Sequence, residues 1–418
     1  GAAKQIAAFS VGQAGWFLLF FALAVGLVIL IIAGIFSGKR AKLGGILLGA
    51  LLIADLGRAN LPWIVHWNYK QKYASNPIID ILRNKPYEHR VAELPFHVPE
   101  QFQLFHQLYR IEWAQHHFPY YNIQSLDKIQ QPREPADLAA FEAATTFENT
   151  PETIHLITRQ WQLTNTRYLL GPAGFLATMN EQLDPVQHRF RIVQRFSIVP
   201  KAGIEHPTEL EQLTAVTTNS GAYALFEFTG ALPRAKLYSN WQIAKADPAT
   251  LQQWVKTTQK YVPEEWGSAL ASLDTNDLAT LHTLIATNFN PQQTVLVSAP
   301  LPTAPAVNST NQNSGTVEFK SYAPKDIVLD AKVITPSVLL LNDKFDPHWS
   351  VRVDGKPAEL WRCNFIMRGV YLTSGEHTVE FQFKLPLKPL YITLAAIAIG
   401  FVLLGWLLIS GQTKPKHS

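Results

Sequence analysis

The sequence predicts a membrane protein of the α+β class, with three transmembrane helices and a large extracytoplasmic region. That region reads as a mixed α/β domain followed by a C-terminal β-sandwich. Three observations carry the prediction. No Asp, Glu, Lys or Arg occurs between Lys4 and Lys39, or between Lys388 and Lys414. Lys39, Arg40 and Lys42 crowd the short loop that follows the first apolar run. The stretch "HWSVRVDGKPAELW" (His348 to Trp361) has the alternation and turn of a water-facing hairpin, close to an apolar C-terminal run.

The first 65 residues read as two spans, at about 14–36 and 43–65. Their runs, "GWFLLFFALAVGLVILIIAGIF" and "LGGILLGALLIADLGRANLPWIV", each reach the roughly 20 residues that cross a bilayer core as a helix. A third run, "LYITLAAIAIGFVLLGWLLISG", supplies a span at 389–410. A surface helix of a globular protein would show a polar stripe that these runs lack. The basic loop, and Lys414, Lys416 and His417 in the tail 411–418, belong on the cytoplasmic side by the positive-inside rule. Residues 66–388 then lie outside, with Trp16, Trp63 and Trp67 near the outer interface where indole rings are favoured. The chain begins "GAAKQ", with neither Met nor a signal-peptide pattern, so the expectation is the C-terminal part of a longer polytopic protein.

The net charge of +4 is concentrated in the membrane flanks, which leaves the outer region close to neutral. A nucleic-acid partner therefore has no electrostatic footprint. The lone cysteine, Cys363, excludes an internal disulfide framework and sits in a predicted buried strand, where a small apolar filler is favoured over a nucleophile. The sequon Asn308-Ser309-Thr310 matters only in a eukaryotic secretory route.

Within the outer region, residues 66–297 form the mixed domain. Helices are expected at Asn76–Arg83, Glu100–His116, Pro135–Phe147 and Pro248–Lys260, and strands at Arg189–Ile198, Tyr223–Phe228, Ala235–Ile243 and Thr294–Val297. Residues 298–315, "SAPLPTAPAVNSTNQNSG", have the composition of a linker. Residues 316–385 carry six or seven short strands with sandwich spacing. Asp354-Gly355 is a type I′ turn signal, with Val353 and Lys356 closing the turn. "SVLLLND" is a continuous apolar run, as a central strand would show.

The stretch "LLLNDKFDPHWSVRVDGKPAELWRCNFIMRGVYLTSGEHTVEFQFKLP", followed at once by a span, resembles the C-terminus of the YfhO family of bacterial membrane proteins. "QLTNTRYLL" (Gln162–Leu170) and "ALFEFTGALPRAKLY" (Ala224–Tyr238) are similar too. The resemblance implies a GT-C-type glycosyltransferase of the bacterial cytoplasmic membrane. Such a protein takes a sugar from a polyprenyl-phosphate carrier to an extracytoplasmic envelope polymer. Further N-terminal transmembrane helices would be partners of this part. The acidic catalytic residue of such enzymes usually lies in a first outer loop, so this chain alone is expected to be inactive and to bind or position the acceptor. The alternative is a non-catalytic, membrane-anchored envelope protein that binds glycan or acts as a scaffold.

Two sets of candidate residues follow. Asp55 comes after the uncharged stretch Leu43–Ala54, near mid-membrane, with Arg58 one turn further on. Charges at that depth are costly and suggest function, here a lipid-phosphate contact through Arg58; the bland reading is mutual neutralisation. In "LYRIEWAQHHFPYYNIQSLDKIQQPR", an α-helix would put His106, Arg110, Trp113 and His117 on one face, with Leu104, Leu108 and Ile111 on another. Aromatic rings beside polar groups suit a glycan surface, while amphipathic packing explains the same pattern. No metal is expected, because His116 and His117 are adjacent and no HExxH or Cys/His pattern occurs. Nor is there a GxSxG, P-loop or GxGxxG sequence. Arg234, after Pro233, reads as an outward-facing charge at a sheet edge.

Overall fold

The structure, a computed structural model, describes residues 2–66, 68–96, 100–129, 133–147, 150, 153–305 and 314–410. Trp67, the sequon at 308–310 and the tail 411–418 lie outside the described residues. The chain divides into two units, Gly1–Ala74 and Ser75–Ser418.

In the first unit a helix over Ala2–Ile32 is followed by a second over Ala41–Asn60. The first helix starts earlier than expected and stops at Ile32. Gly34 (φ 80°) and Gly38 (φ 57°) take the left-handed conformation that glycine adopts without steric cost, and the chain reverses there. Arg58 does not close on Asp55. Both terminal nitrogens of its guanidinium donate to Gln13 Oε1 at 3.2 Å, and the group lies 4.4 Å from the Trp16 ring centroid. A charge on the second helix is thus satisfied by the first.

Among the described residues, three helices are long and apolar enough to cross a membrane: Lys4–Ile32, Gly38–Trp63 and Lys388–Leu407. Their side chains stay out of any core, as with Ile32 at 80%, Ile53 at 73% and Ile392 at 71% exposed. Apolar surface on this scale marks contact with something other than water, and helices satisfy their own backbone in lipid.

The second unit is built on sheets. The first contains β1 (Arg90–Glu93), β2 (Thr166–Pro172), β3 (Phe190–Pro200), β4 (Leu213–Thr217) and β5 (Tyr223–Phe228), in the order β1-β2-β5-β3-β4. Only β1 and β2 run parallel within it. Every residue of β5 is buried, as its central place requires. Then come β6 (Ala235–Tyr238) and a parallel pair, β7 (Asn240–Gln242) with β8 (Thr294–Leu296).

The remaining strands are β9 (Gly315–Ala323), β10 (Asp326–Val333), β11 (Ser337–Lys344), β12 (Trp349–Val353), β13 (Lys356–Ala358), β14 (Trp361–Cys363), β15 (Met367–Leu372) and β16 (Gly375–Phe383). They form a second sheet, β13-β12-β16-β10-β9, and a third, β14-β15-β11-β6. The turn between β12 and β13 has Asp354 at φ 51° and Gly355 at φ 74°, with Val353 opposite Lys356. The expected hairpin and its register are present.

β11 is the central strand its apolar run suggested, and each face meets a different core. Leu339 and Leu341 pack with Ile327, Leu329, Val379 and Phe381 of the second sheet. Val338 and Leu340 pack with helices Ala136–Thr145, Pro248–Thr258, Glu264–Ala271 and Thr275–Ile285. Since β6 pairs with β11, the stretches before and after 298–315 share one sheet. Cys363 is buried in the same core, and burial pushes its thiol up to about 12, so it packs as an apolar filler.

The segment predicted as an α-helix from Glu100 is α-helical over Gln103–Gln107 and π-helical over Leu108–His117. The wider π-turn bonds residue i to i+5 and rotates the buried face. Phe105, Leu108, Tyr109, Glu112, Trp113 and His117 are buried, whereas Leu104 and Ile111, expected on an apolar face, are exposed.

Candidate functional site

A polar cleft of about 760 Å³ opens where the loop between β5 and β6 meets β9 and the segment around Tyr87. Asn165 stands at its wall in the turn from helix His155–Leu163 to β2, at φ 57°, a conformation that Asn tolerates better than most residues. Its amide donates to Leu232 O at 2.7 Å and Glu88 O at 3.2 Å. Its Oδ1 is buried and has no hydrogen-bond partner among the described residues. Tyr87 and Phe319 also line the cleft, with ring centroids 5.4 Å apart and an edge-on arrangement.

Two of the carboxylates that line the cleft, Glu227 and Glu88, are held by cations. Arg167 Nε donates to Glu227 Oε1 at 2.7 Å and Arg191 Nε to Oε2 at 2.6 Å. Burial alone would raise the Glu227 pKa, but the hydrogen bonds from Arg191 and Arg167 outweigh it and hold the carboxyl below its ordinary range. Glu88 pairs with Lys85 at 3.2 Å. Of the three acids among the described residues that line the cleft, Glu227 and Glu88 are thus engaged by cations, while Glu318 on β9 is exposed.

Arg234 forms the back wall and corrects the sequence reading: it is 2% exposed, not an outward-facing edge charge. It turns inward because Asp343, on the neighbouring β11, is itself buried. Arg234 Nη2 donates to Asp343 Oδ1 at 2.8 Å and to the Tyr322 hydroxyl at 3.1 Å, and it also bonds Gln124 Oε1. Among the described residues, its Nε and Nη1 have no partner. Arg368 Nη2 donates to Asp343 Oδ2 at 3.0 Å, and Arg90 lies 3.7 Å from Oδ1. Burial lowers the Arg90 pKa to about 9, helped by the charge of Arg234, so it stays protonated at neutral pH.

A second group of titratable side chains gathers at the end of β1. His106 Nδ1 and Glu93 Oε1 are hydrogen-bonded at 2.8 Å. Asp127 Oδ2 accepts from the Glu93 amide at 2.8 Å and the Tyr109 hydroxyl at 2.6 Å. Burial pushes Glu93 up to about 7, against the opposing hydrogen bond from His106. Because its ordinary value is 4.5, the folded protein holds this proton more tightly than the unfolded chain does. The stabilising effect is complete below pH 4.5 and disappears as pH rises to 7, a difference of about 3 kcal/mol. Glu93→Gln should flatten that slope. Denaturant titrations at pH 5 and pH 8 should show the variant gaining on the parent at the higher pH; an equal difference at both would contradict the assignment.

Of the four residues predicted to share a glycan-binding face, the structure does not bring all together on open surface. His106 is engaged by Glu93, and Arg110 is exposed. Trp113 is 2% exposed, with centroids 6.1 Å from Phe105 and 6.0 Å from Phe196, so its ring faces the core. His117 is buried with Nδ1 bonded to Glu112 O at 2.8 Å. The π-turn is the reason, since it carries Trp113 and His117 to the side of Phe105. Among the described residues, no group of three or more His, Cys, Asp or Glu is placed to hold a metal ion.

Sequence reasoning passed over Asn165, Glu227, Asp343 and Arg368. For the last three the signal was present as a lone charge inside an apolar strand, in "YALFEF", "SVLLLND" and "IMRGVYL". Such a charge is costly unless paired. Compared with protein-family models, curated proteins and solved structures, the chain matches none.

Proposed function

We propose that this chain is the acceptor-side part of a polytopic GT-C-type glycosyltransferase of the bacterial cytoplasmic membrane. Its outer region would bind or position an envelope polymer in the cleft, while a polyprenyl-phosphate-linked sugar serves as donor. The observation that carries the reading is that two residues lining the cleft, Asn165 and Arg234, each carry buried polar atoms with no partner among the described residues, Asn165 Oδ1 and the Arg234 Nε and Nη1. One group needs a donor and the other an acceptor, and a sugar hydroxyl is both. Tyr87 and Phe319 add flat apolar faces for C–H groups of a sugar ring. The stretches Gln162–Leu170 and Ala224–Tyr238, which prompted the family resemblance, contribute Asn165, Arg167, Glu227 and Arg234 to the same cleft.

A non-catalytic glycan-binding role is the second reading. What favours it is the state of the acids: Glu227 and Glu88 are both engaged by cations. Two measurements test the proposal. Purified chain in lipid nanodiscs should bind envelope glycan fragments, with Tyr87→Ala weakening binding about tenfold, or roughly 1.4 kcal/mol, at unchanged melting temperature. Undiminished binding would remove the cleft from the argument. Labelled sugar passing from a polyprenyl-phosphate donor to polymer, in membranes carrying the protein with its upstream helices, separates transferase from scaffold.

A further inference from the structure

We infer that the helical layer of the second unit holds a separate small-molecule pocket, shaped for an uncharged saccharide ring. The pocket has a volume of about 350 Å³ and lies among helices His155–Leu163, Pro248–Thr258 and Thr275–Ile285. None of its lining residues belongs to the cleft, so the inference stands whether or not the cleft binds polymer.

The class of ligand follows from what the wall can and cannot compensate. Among the described residues, no Asp, Glu, Lys or Arg lines the pocket. An ion entering it would lose hydration with no opposite charge to replace it, which disfavours anionic and cationic ligands. A pure hydrocarbon is disfavoured for the reverse reason. Thr258 and His282 line the pocket, beside Thr257 and His155, which already bond Gln253 O and Ile285 O. A ligand that covered Thr258 and His282 without offering hydrogen bonds would leave polar groups unsatisfied.

What remains is a molecule with apolar faces and several hydroxyls. Trp254 offers a flat apolar surface, and the His282 ring meets it edge-on with centroids 5.3 Å apart. Burial lowers the His282 pKa, so at neutral pH the imidazole is uncharged and offers one donor and one acceptor nitrogen. A hydroxyl can serve either. The volume falls at the small end of the range for ligand pockets, which suits one sugar ring or a short disaccharide.

The test uses the full chain in nanodiscs, with its eleven tryptophans replaced by 5-fluorotryptophan and followed by fluorine NMR. The Trp254 resonance is identified as the signal lost in Trp254→Phe. If that variant disturbs the other signals, His282→Gln, in edge contact with the ring, supplies the assignment by shifting it. Glucose, galactose or N-acetylglucosamine at millimolar concentration should shift the Trp254 signal saturably, with His282→Leu weakening the midpoint about tenfold. Glucuronate and cyclohexanol, a charged sugar and a ring with a single hydroxyl, should leave it in place. A Trp254 signal unmoved by all neutral sugars overturns the inference, as does one moved equally by glucuronate or cyclohexanol.

Discussion

Asp343→Ala should destabilise the second unit by about 3–5 kcal/mol, the usual result of removing one partner from a buried ion group. Asp343 is 8% exposed and is held by groups from three sheets: Arg90 of β1, Tyr322 of β9 and Arg368 of β15, together with Arg234 just before β6. Arg234 and Arg368 are each 2% exposed. Without the carboxylate, these guanidinium groups lose their shared counter-ion where water cannot replace it. Some compensation remains. Arg90 also donates to Asn342 O at 3.1 Å and to Thr164 O at 2.5 Å, and the Arg368 guanidinium lies 3.6 Å from the Trp349 ring centroid. Asp343→Asn keeps the volume and removes only the charge, so it should cost nearly as much.

The same residue sets an acid limit. Burial alone would raise its pKa, but the charges of Arg234, Arg368 and Arg90 outweigh this and hold it below the ordinary carboxylate range. Its contribution is present above the unfolded value of about 3.9 and is lost as pH falls through the lower folded value. Denaturant melts of the purified chain measure both effects. Two variants within about 1 kcal/mol of the parent would show that the cluster does not hold the sheets together.

Trp113→Ala is expected to cost about 3–5 kcal/mol of stability, the range for deleting a buried Trp or Phe. Its effect on glycan binding should be no more than that loss of folded protein explains. The ring is packed in a core that includes Phe105, Tyr109, Phe118, Phe196 and Tyr223, drawn from the segment before β2 and from the first sheet. Truncation would leave a cavity against rigid neighbours, and such cavities relax only in part. Trp113→Phe should recover much of the loss. The opposite pattern, normal stability with binding abolished, would restore Trp113 to a ligand surface and contradict its burial.

Much of the architecture was legible because its causes are short-range. Long apolar runs, two of them free of charge, mark the three apolar helices wherever they end up. Alternation and the Asp354-Gly355 turn specify the hairpin within a dozen or so residues of chain. The strand around Leu339 to Leu341 was readable as central because apolar residues on both faces can only be buried from both sides. Less was legible where two segments compete for one pattern. An α-helical wheel sorted His106, Arg110, Trp113 and His117 onto one face, yet the chain takes a π-turn from Leu108 and buries two of them. Arg234 followed a proline in an edge-like context, and nothing near it in sequence announces Asp343.

The sequence by itself determined that three lipid-compatible helices exist and roughly where, that the C-terminal stretch forms short strands, and that no cysteine framework exists, because each depends on neighbours along the chain. Only the tertiary structure decided which charges meet, which aromatic rings are buried and where cavities open. Arg90 and Asn342 are hydrogen-bonded across 252 positions, and Asn165 meets Leu232 across 67. Contacts of that span are fixed by how sheets and helices pack, and one side chain's burial depends on partners that no local pattern can name.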